Sequence, residues 1–233
     1  MSETVAIEPP SSRRLRRLLL LALIGVVLGL AASFIVPHVM GLVWYVPRLE
    51  RLFAQLRRDP VLIEALRGQN SALADKDEAW VLAQDRVWNE ERLKREGGTL
   101  QRAVMDLPAS RHLRDLLAES KGLVTHALLI DAKGRLAAEP FPSFNFKQFD
   151  KPKFQDTFPH GAEARHVSWL QLSWDGTHPV CWQARVMLDP ATRAPIGVLA
   201  LEVNYLKIGY FGCIEAPVHT ARERATNRVS SEE

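Results

Sequence analysis

Cysteine is scarce in this sequence, and the common motifs that hold metals or phosphates are missing. There are two cysteines, Cys181 and Cys213, among 233 residues, too few for a disulfide scaffold. The sequence has no CxxC, HExxH, P-loop or GxGxxG motif, and its seven histidines share no ligand-like spacing. We therefore predict no metal site and no cofactor. Outside the cytoplasm the two cysteines could pair; equally, Cys181 could be a small core side chain and Cys213 a free thiol.

An excess of one charge sign is also missing from the main part of the chain. The net charge is +3, but four arginines and two glutamates precede residue 48, and the remainder has 26 basic and 25 acidic side chains. A nucleic-acid binder would concentrate basic residues on its folded part, so we predict no nucleic-acid partner. No spacing of Asp, His and Ser assembles a nucleophile, a base and an orienting group, so we predict no enzyme.

One long hydrophobic run is present, near the N-terminus. Residues 18–36 include no charged side chain, and about 20 apolar residues suffice for a helix to cross the hydrocarbon core. Pro37 predicts a kink or an end, and Trp44 and Tyr45 suit the membrane interface. A cleaved signal peptide is the main alternative, but the apolar run exceeds the usual length of its hydrophobic segment. We predict a retained transmembrane helix over residues 18–43.

The charges beside this run predict its orientation. Four arginines lie within the flank 1–17, immediately before the run. Lys and Arg collect on the cytoplasmic side of a span, so the flank is predicted to be cytoplasmic. The arginines on the far side begin at Arg48 and are diluted by Glu50 and Asp59. We therefore expect a single-pass protein of a bacterial inner membrane, with its main domain in the periplasm.

The spacing of apolar residues after the run is helical, which predicts a stalk and N-terminal helices over residues 44–123. Asp59-Pro60 predicts an N-cap and a first-turn proline, in a helix that Gly68 ends. Asp75 followed by Glu78 predicts a second helix, which stops at residues 97–98. A third helix is predicted to begin with Ser110 as its N-cap.

From residue 124 the apolar period changes to two, which predicts strands. A first hairpin is predicted from residues 124–130 and 135–139, joined by a turn that contains Gly134. Three further strands are predicted over residues 165–173, 178–188 and 196–204. Five strands joined mainly by hairpins, with helices before them, indicate an α+β domain with one antiparallel sheet over residues 124–210.

Four segments follow one another in an order found in a known family. Residues 70–91 form a helical stretch with an Asp-x-x-Trp pattern at Asp85 and Trp88. LLIDAKGRLAA forms a hairpin, FNFKQFDKPKFQDTF combines a polar turn, a short helix and aromatic residues, and IGVLALEVNYLKI forms the last strand. In this order they resemble the extracytoplasmic Cache domains, the PAS-like sensor domains of bacterial receptors. The similarity spans roughly residues 48–210.

This resemblance implies a five-stranded sheet packed on a long N-terminal helix, with a small-molecule pocket on the other face. Segment 140–161 would form its roof, and the two long strands its floor. The candidate ligand-binding residues on this reading are Asp150, Lys153, Phe154, Trp169, Gln171, Trp182, Gln183 and Arg185.

Arg185 determines the predicted ligand class. Strand alternation places Gln183 and Arg185 on one face and Trp182 on the other. A guanidinium offers a planar, two-pronged donor that suits a small carboxylate. The alternative is a surface pair between Arg185 and Asp156 or Glu163.

The other candidates also have structural alternatives. Trp169 and Trp182 could simply cover the core, and Asp150 could be the N-cap of the short helix rather than the partner of a ligand amine. A metal site formed by His160, His166 and Asp150 is not favoured.

Receptors of this family have a second membrane helix and an output domain, whereas residues 211–233 here are polar and predict a disordered tail. We expect a sensory, ligand-binding domain that signals through its anchor, through a homodimer or through a partner protein. The alternative function is a structural or assembly subunit that uses the same fold for protein contacts.

Overall fold

A continuous helical path leads from the N-terminal run into the domain. Helix α1 (Ser12–Met40) continues into one π-helical turn (Gly41–Tyr45) and then into α2 (Val46–Leu56). The expected end or kink at Pro37 is displaced, because the helix changes to π geometry only at Gly41. Among the described residues, the stretch Leu15–Val36 is the one helix long and apolar enough to cross a membrane, and its side chains are exposed.

The computed structural model describes residues 12–94, 98–173, 175–209 and 213. The remaining helices are α3 (Pro60–Ala72), α4 (Glu78–Arg92), α5 (Thr99–Met105), α6 (Pro108–Glu119), α7 (Pro152–Gln155) and α8 (Tyr205–Ile208), with a 3₁₀ turn at Phe158–His160. The strands are β1 (Val124–Asp131), β2 (Leu136–Ala138), β3 (Arg165–Val167), β4 (Gln171–Leu172), β5 (Pro179–Leu188) and β6 (Pro195–Asn204). Apart from Cys213, the predicted tail over 211–233 lies outside the described residues.

The strands form one antiparallel sheet in the order β2-β1-β6-β5-β3, with β4 also paired to β5. The predicted α+β class is confirmed. The third predicted strand, residues 165–173, is interrupted between β3 and β4. The backbone N–H of Ser168 donates to the carbonyl of Trp182, while its hydroxyl oxygen accepts from the Trp182 N–H. Because this side chain takes the place of a backbone acceptor, residues 168–170 leave the ladder.

The two faces of the sheet carry two separate hydrophobic clusters. On one face, α2, α3 and α6 bury Phe53, Leu66 and Leu113 against the sheet. On the other, Trp88, Phe146 and Phe154 are among the residues that pack on it. Burial of each large apolar side chain stabilises the fold by about 1.5–3 kcal/mol. Successive residues of the central strands alternate between the two clusters, as the period of two requires.

The boundaries of α3 and α4 confirm one prediction and correct two. Asp59 caps α3 as predicted, accepting hydrogen bonds from the N–H groups of Val61 and Leu62. However, α3 continues past Gly68 to Ala72, because Gln69 and Asn70 bond to the sheet and its turn and offset the cost of a mid-helix glycine. The N-cap of α4 is Asp77, not Asp75.

The later helices also begin and end elsewhere than predicted. Helix α4 ends at Arg92 because the Glu91 carboxylate turns to accept from the N–H groups of Leu100 and Gln101 at the start of α5. Helix α6 begins at Pro108, and Ser110 lies inside it, where its hydroxyl donates to the carbonyl of Val104. These tertiary contacts cannot be inferred from local spacing.

A disulfide joins Cys181 of β5 to Cys213, with the two Cα atoms 5.8 Å apart. It ties the chain that follows α8 to the central part of the sheet. This resolves the alternative that the sequence left open, in favour of pairing.

Candidate functional site

A cavity of about 680 Å³ lies on the face of the sheet opposite α2, α3 and α6. Strand residues His126, Leu128, Trp182 and Glu202 form its floor. Its cover comes mainly from the segment between β2 and β3, with Arg92 and β4 at the sides. The residues contributed by the cover and the sides are Arg92, Phe141, Pro142, Ser143, Phe144, Asn145, Gln148, Lys151, Lys153, Gln171 and Leu172.

Lys153 provides a cation inside this cavity. It belongs to α7, and its Nζ lies 3.8 Å from the centre of the Trp182 ring, a cation–π contact. Burial lowers the pKa of Lys153 to about 8, although the carboxyl groups of Glu139 and Glu202 act in the opposite direction. Among the described residues, no carboxylate lies within ion-pair distance of this ammonium. The cation is therefore available to an anionic group in the cavity.

His126 and Glu139 form a neutral pair beside the cavity. The Nε2 atom of His126 lies 3.6 Å from Oε2 of Glu139, and both side chains are almost completely buried. Burial lowers the pKa of His126 to about 4, with a further contribution from Lys153. Burial raises the pKa of Glu139 to about 8. Near pH 7 both groups are therefore uncharged, so the contact is not an ion pair despite its short distance.

Glu202 adds a second acidic group to the floor. It lies opposite His126 across β1 and β6 and opposite Trp182 across β5 and β6. The Thr125 hydroxyl donates to its Oε1 at 2.8 Å. Burial raises the pKa of Glu202, which favours its protonated form relative to an exposed glutamate.

Several buried polar atoms at the cavity have no hydrogen-bond partner among the described residues. They include Nδ1 of His126, Oε1 of Gln148 and Oγ of Ser143. His126 is 4% exposed and Gln148 is 3% exposed. Buried polar groups are nearly always hydrogen-bonded, so these three residues of the cavity lining keep hydrogen-bonding capacity that no described residue uses.

The structure brings three of the predicted site residues together: Lys153, Gln171 and Trp182 all line the cavity. Phe154 is buried below the cover, with its ring stacked 5.1 Å from that of Phe158. Trp169, at 94% exposed, lies outside the cavity.

Asp150 is engaged elsewhere in the cover. Its carboxylate pairs with Lys147 at 2.9 Å, and the N-cap residue of α7 is Lys151 rather than Asp150. His166 contacts Asp156 at 2.7 Å, so it does not join Asp150 in the arrangement considered for a metal. In the described part of the chain, no group of three or more His, Cys, Asp or Glu side chains could hold a metal ion.

The structure places Arg185 and Gln183 outside the cavity, in contrast to the prediction. Both are on the helix-covered face of β5, opposite the cavity, as strand alternation relative to Trp182 requires. Arg185 donates to Oε1 of Glu50 at 2.9 Å, and its guanidinium lies 4.7 Å from the centre of the Phe53 ring. Its partner is thus on α2, and neither Asp156 nor Glu163 forms the predicted surface pair.

Sequence reasoning missed His126, Glu139 and Glu202. Each interrupts or ends an otherwise apolar strand segment, as in VTHALLI and LALEVN. A titratable residue is unusual within such an apolar strand segment, so the interruption itself was a usable signal. The sequence could not show that these three residues lie close together, because that depends on strand order and register.

A scan of protein-family models and a search of curated proteins each found no match. Among solved structures, the chain is similar to the sensor domain of the V. cholerae histidine kinase DctB, with 15% identity over 82% of this chain and 61% of that one, and a TM-score of 0.48. It is also similar to the E. coli DcuS sensor domain, with 12% identity over 60% of this chain and 94% of that one, and a TM-score of 0.35.

A third similar structure is the sensory domain of the Campylobacter jejuni chemoreceptor Tlp3, with 12% identity over 68% of this chain and 64% of that one, and a TM-score of 0.35. These proteins are extracytoplasmic sensor domains of the Cache type, the class that the sequence resembles. The chain spans 61% of the length of the DctB structure. At these identities the likeness concerns the fold alone.

Proposed function

We propose that this chain is a membrane-anchored, extracytoplasmic ligand-binding domain whose cavity takes a small carboxylate at Lys153. The observation that carries the proposal is the Lys153 ammonium, held against Trp182 inside the cavity without a carboxylate partner among the described residues. Arg92 and Lys151 add positive charge to the lining. Since His126 and Glu139 are neutral near pH 7, they do not cancel this charge.

The remaining polar groups favour a ligand that also carries hydroxyl or amino groups. Gln148, His126 and Ser143 line the cavity and carry polar atoms without a partner among the described residues, and the aromatic rings supply apolar surface. A cavity of about 680 Å³ is within the size range of small-molecule sites. On this proposal, the site binds its ligand without transforming it.

The anchor and the disulfide support the proposed location. The exposed apolar helix over Leu15–Val36 has the length of a membrane span. The Cys181–Cys213 bond is of the kind that persists outside the reducing cytoplasm. Together they favour a periplasmic domain on a bacterial inner membrane.

The route of the signal is proposed to pass through β5 and α2. Trp182 faces the cavity, whereas Arg185, three residues further, faces α2 and pairs with Glu50. Helix α2 continues through the π turn into the membrane helix. A ligand that moves Trp182 could therefore shift the stalk helix, with the signal passing along the anchor or to a partner protein.

A thermal-shift screen of the full chain in detergent, against single carboxylates, amino acids and amines, tests the binding proposal. A ligand that binds only the folded state raises the unfolding temperature by mass action. We expect a carboxylate to raise it in the native chain and to lose this effect in Lys153→Met. Lys147→Met is the matched control, because Lys147 also lies over an aromatic ring, that of Phe149, but pairs with Asp150 outside the cavity.

Two outcomes would contradict the proposal: no carboxylate shifts the native chain, or the shift survives unchanged in Lys153→Met. The first would favour the alternative of an assembly subunit, to be examined by crosslinking in membranes. The shift should also weaken as the pH rises through about 8, because Lys153 then loses its charge.

A further inference from the structure

An exposed apolar surface lies at one end of the sheet, beside the cavity, whose lining includes its residue Leu172. Trp169 is 94% exposed, Leu170 52%, Leu172 67%, and Leu206 of α8 67%. We call these four residues the basal apolar edge. Single exposed apolar side chains are common, but a group that includes an almost fully exposed tryptophan is typical of a contact surface.

The position of this edge along the axis of the stalk helix follows from the residues through which β5 and α2 contact each other. Arg185 pairs with Glu50, and β4 pairs with Val180 and Pro179, five and six residues before Arg185. That separation is about 16–20 Å along a strand, or roughly 11–13 residues of helix. Counted back from Glu50, β4 is level with residues 37–39 of the membrane helix.

A second contact gives nearly the same level independently. Asn204, at the end of β6, is paired with Val180. Helix α8 follows it directly, and a Cβ at Gly41 would overlap the carbonyl of Ile208 in α8. This end of the sheet is therefore next to Gly41.

The candidate membrane span ends at Val36. Residues 37–41 lie only about 2–8 Å beyond it along the helix axis, which is about the depth of the headgroup layer. Tryptophan is enriched at this depth, because its ring is apolar and its N–H can remain hydrated. The edge is thus at the height where a lipid surface would cover it.

We propose that the basal apolar edge docks onto the lipid surface in which the chain is anchored, and so holds the domain against the membrane. This inference depends on the anchor proposed above. A lipid surface explains the group better than strand pairing with a second copy. Strand β4 has only two residues, and a strand added to it would leave Leu206 of α8 uncovered.

The test uses the full chain in nanodiscs made with either ordinary or brominated phospholipids, since bromine quenches tryptophan emission on contact. The difference in tryptophan emission between the native chain and Trp169→Phe reports on Trp169. We expect this difference to be strongly quenched by brominated lipid. Trp80→Phe is the distal control, because Trp80 packs on Phe146 near the start of α4, and the emission that it removes should be unquenched.

Trp44→Phe separates failure of the docking from failure of the anchor. Trp44, 63% exposed in the π turn, should contact lipid whenever the anchor is inserted. Quenching of the Trp44 emission without quenching of the Trp169 emission would overturn the docking and leave the anchor intact. A crosslink between two copies of the chain, formed by a reactive residue placed at position 169 in the same nanodiscs, would also overturn the docking, in favour of a contact with a second copy. If the Trp44 emission were unquenched too, both the anchor and the docking would be wrong.

Discussion

The turn between β1 and β2 contains a completely buried ion pair. Nε of Arg135 lies 2.6 Å from Oδ2 of Asp131, and both side chains are 0% exposed. Oδ1 of Asp131 also accepts from the N–H groups of Lys133 and Arg135, and Nη1 of Arg135 donates to the carbonyl of Leu73. The pair therefore joins the turn to the end of α3.

Removing one charge from this pair should be costly. In Asp131→Asn the guanidinium remains buried without its counter-charge, so we expect the free energy of unfolding to fall by about 3–5 kcal/mol. Denaturant unfolding of the detergent-solubilised chain measures it. Glu64→Gln is the matched control, because it breaks an exposed ion pair with Arg67, and should cause no resolvable change. Equal effects of the two substitutions would show that the buried pair is not important for stability.

Glu139 should make stability depend on pH. Its pKa is raised from 4.5 to about 8 by burial, so between these values the folded chain holds a proton that the unfolded chain has released. Stability from this group is complete below pH 4.5 and is lost as the pH rises through 8. Between pH 6.5 and 8, we expect the free energy of unfolding of the native chain, measured relative to Glu139→Gln, to fall by about 2 kcal/mol.

Above pH 8, Lys153 reverses this trend. Its folded pKa of about 8 is below its ordinary 10.5, so stability rises with pH between these values and the profile has a minimum near pH 8. Glu139→Gln keeps the shape of the side chain and should abolish the fall between pH 6.5 and 8. Unfolding titrations at half-unit intervals compare the two proteins. Persistence of the fall in the variant would assign it to another group.

At the scale of single elements, Gly41 connects the membrane helix with the domain. A methyl group there would overlap the carbonyl of Ile208, so Gly41→Ala should displace α8. Overpacking of this kind costs about 1–3 kcal/mol, which corresponds to roughly 2–10 °C in the unfolding temperature. Differential scanning calorimetry of the full chain measures it.

Gly25→Ala and Gly29→Ala are matched controls for this substitution. Both glycines lie in α1, and nothing is within 4 Å of a Cβ at either position. The three variants share the gain in helix propensity that alanine brings, so only the packing with α8 distinguishes them. If Gly41→Ala unfolded at the same temperature as the other two, α8 would not be packed against the helix.

The element boundaries show what local sequence can and cannot predict. The cap at Asp59 was predictable, because its carboxylate, the following proline and the first apolar residues all lie within one turn. The N-cap of α4 at Asp77 and the start of α6 at Pro108 were not. In the interrupted third strand, Ser168 bonds to Trp182, 14 residues away, and no local pattern reveals that contact.

At the scale of the whole molecule, the sheet separates the cavity from the stalk. Alternation correctly predicted that Trp182 and Arg185 face opposite ways, but not which face is covered by α2. That choice depends on long-range packing, so the sequence analysis counted Arg185 and Gln183 among the cavity residues together with Lys153, whereas in the structure only Lys153 of these three lines the cavity. Phe144 and Lys153, both within the roof segment that the family resemblance implied, line the cavity.

The same molecule-wide arrangement gives a test of membrane orientation. Cys181 and Cys213 are the two cysteines of the chain, and they are joined in the structure. If the domain is periplasmic, the bond should form and persist, whereas a cytoplasmic domain would be kept reduced. We expect cells lysed in denaturant with a polyethylene-glycol maleimide to yield an unlabelled full-length chain, and a doubly labelled one only after reduction.

A variant that lacks residues 1–36 provides the control for this experiment. It keeps both cysteines but loses the apolar run, so it should remain in the cytoplasm and take two labels without reduction. Double labelling of the anchored chain before reduction would mean that its domain faces the cytoplasm. In that case the arginine-rich flank would lie outside, against the usual distribution of positive charge, and the periplasmic location of the ligand site would be wrong.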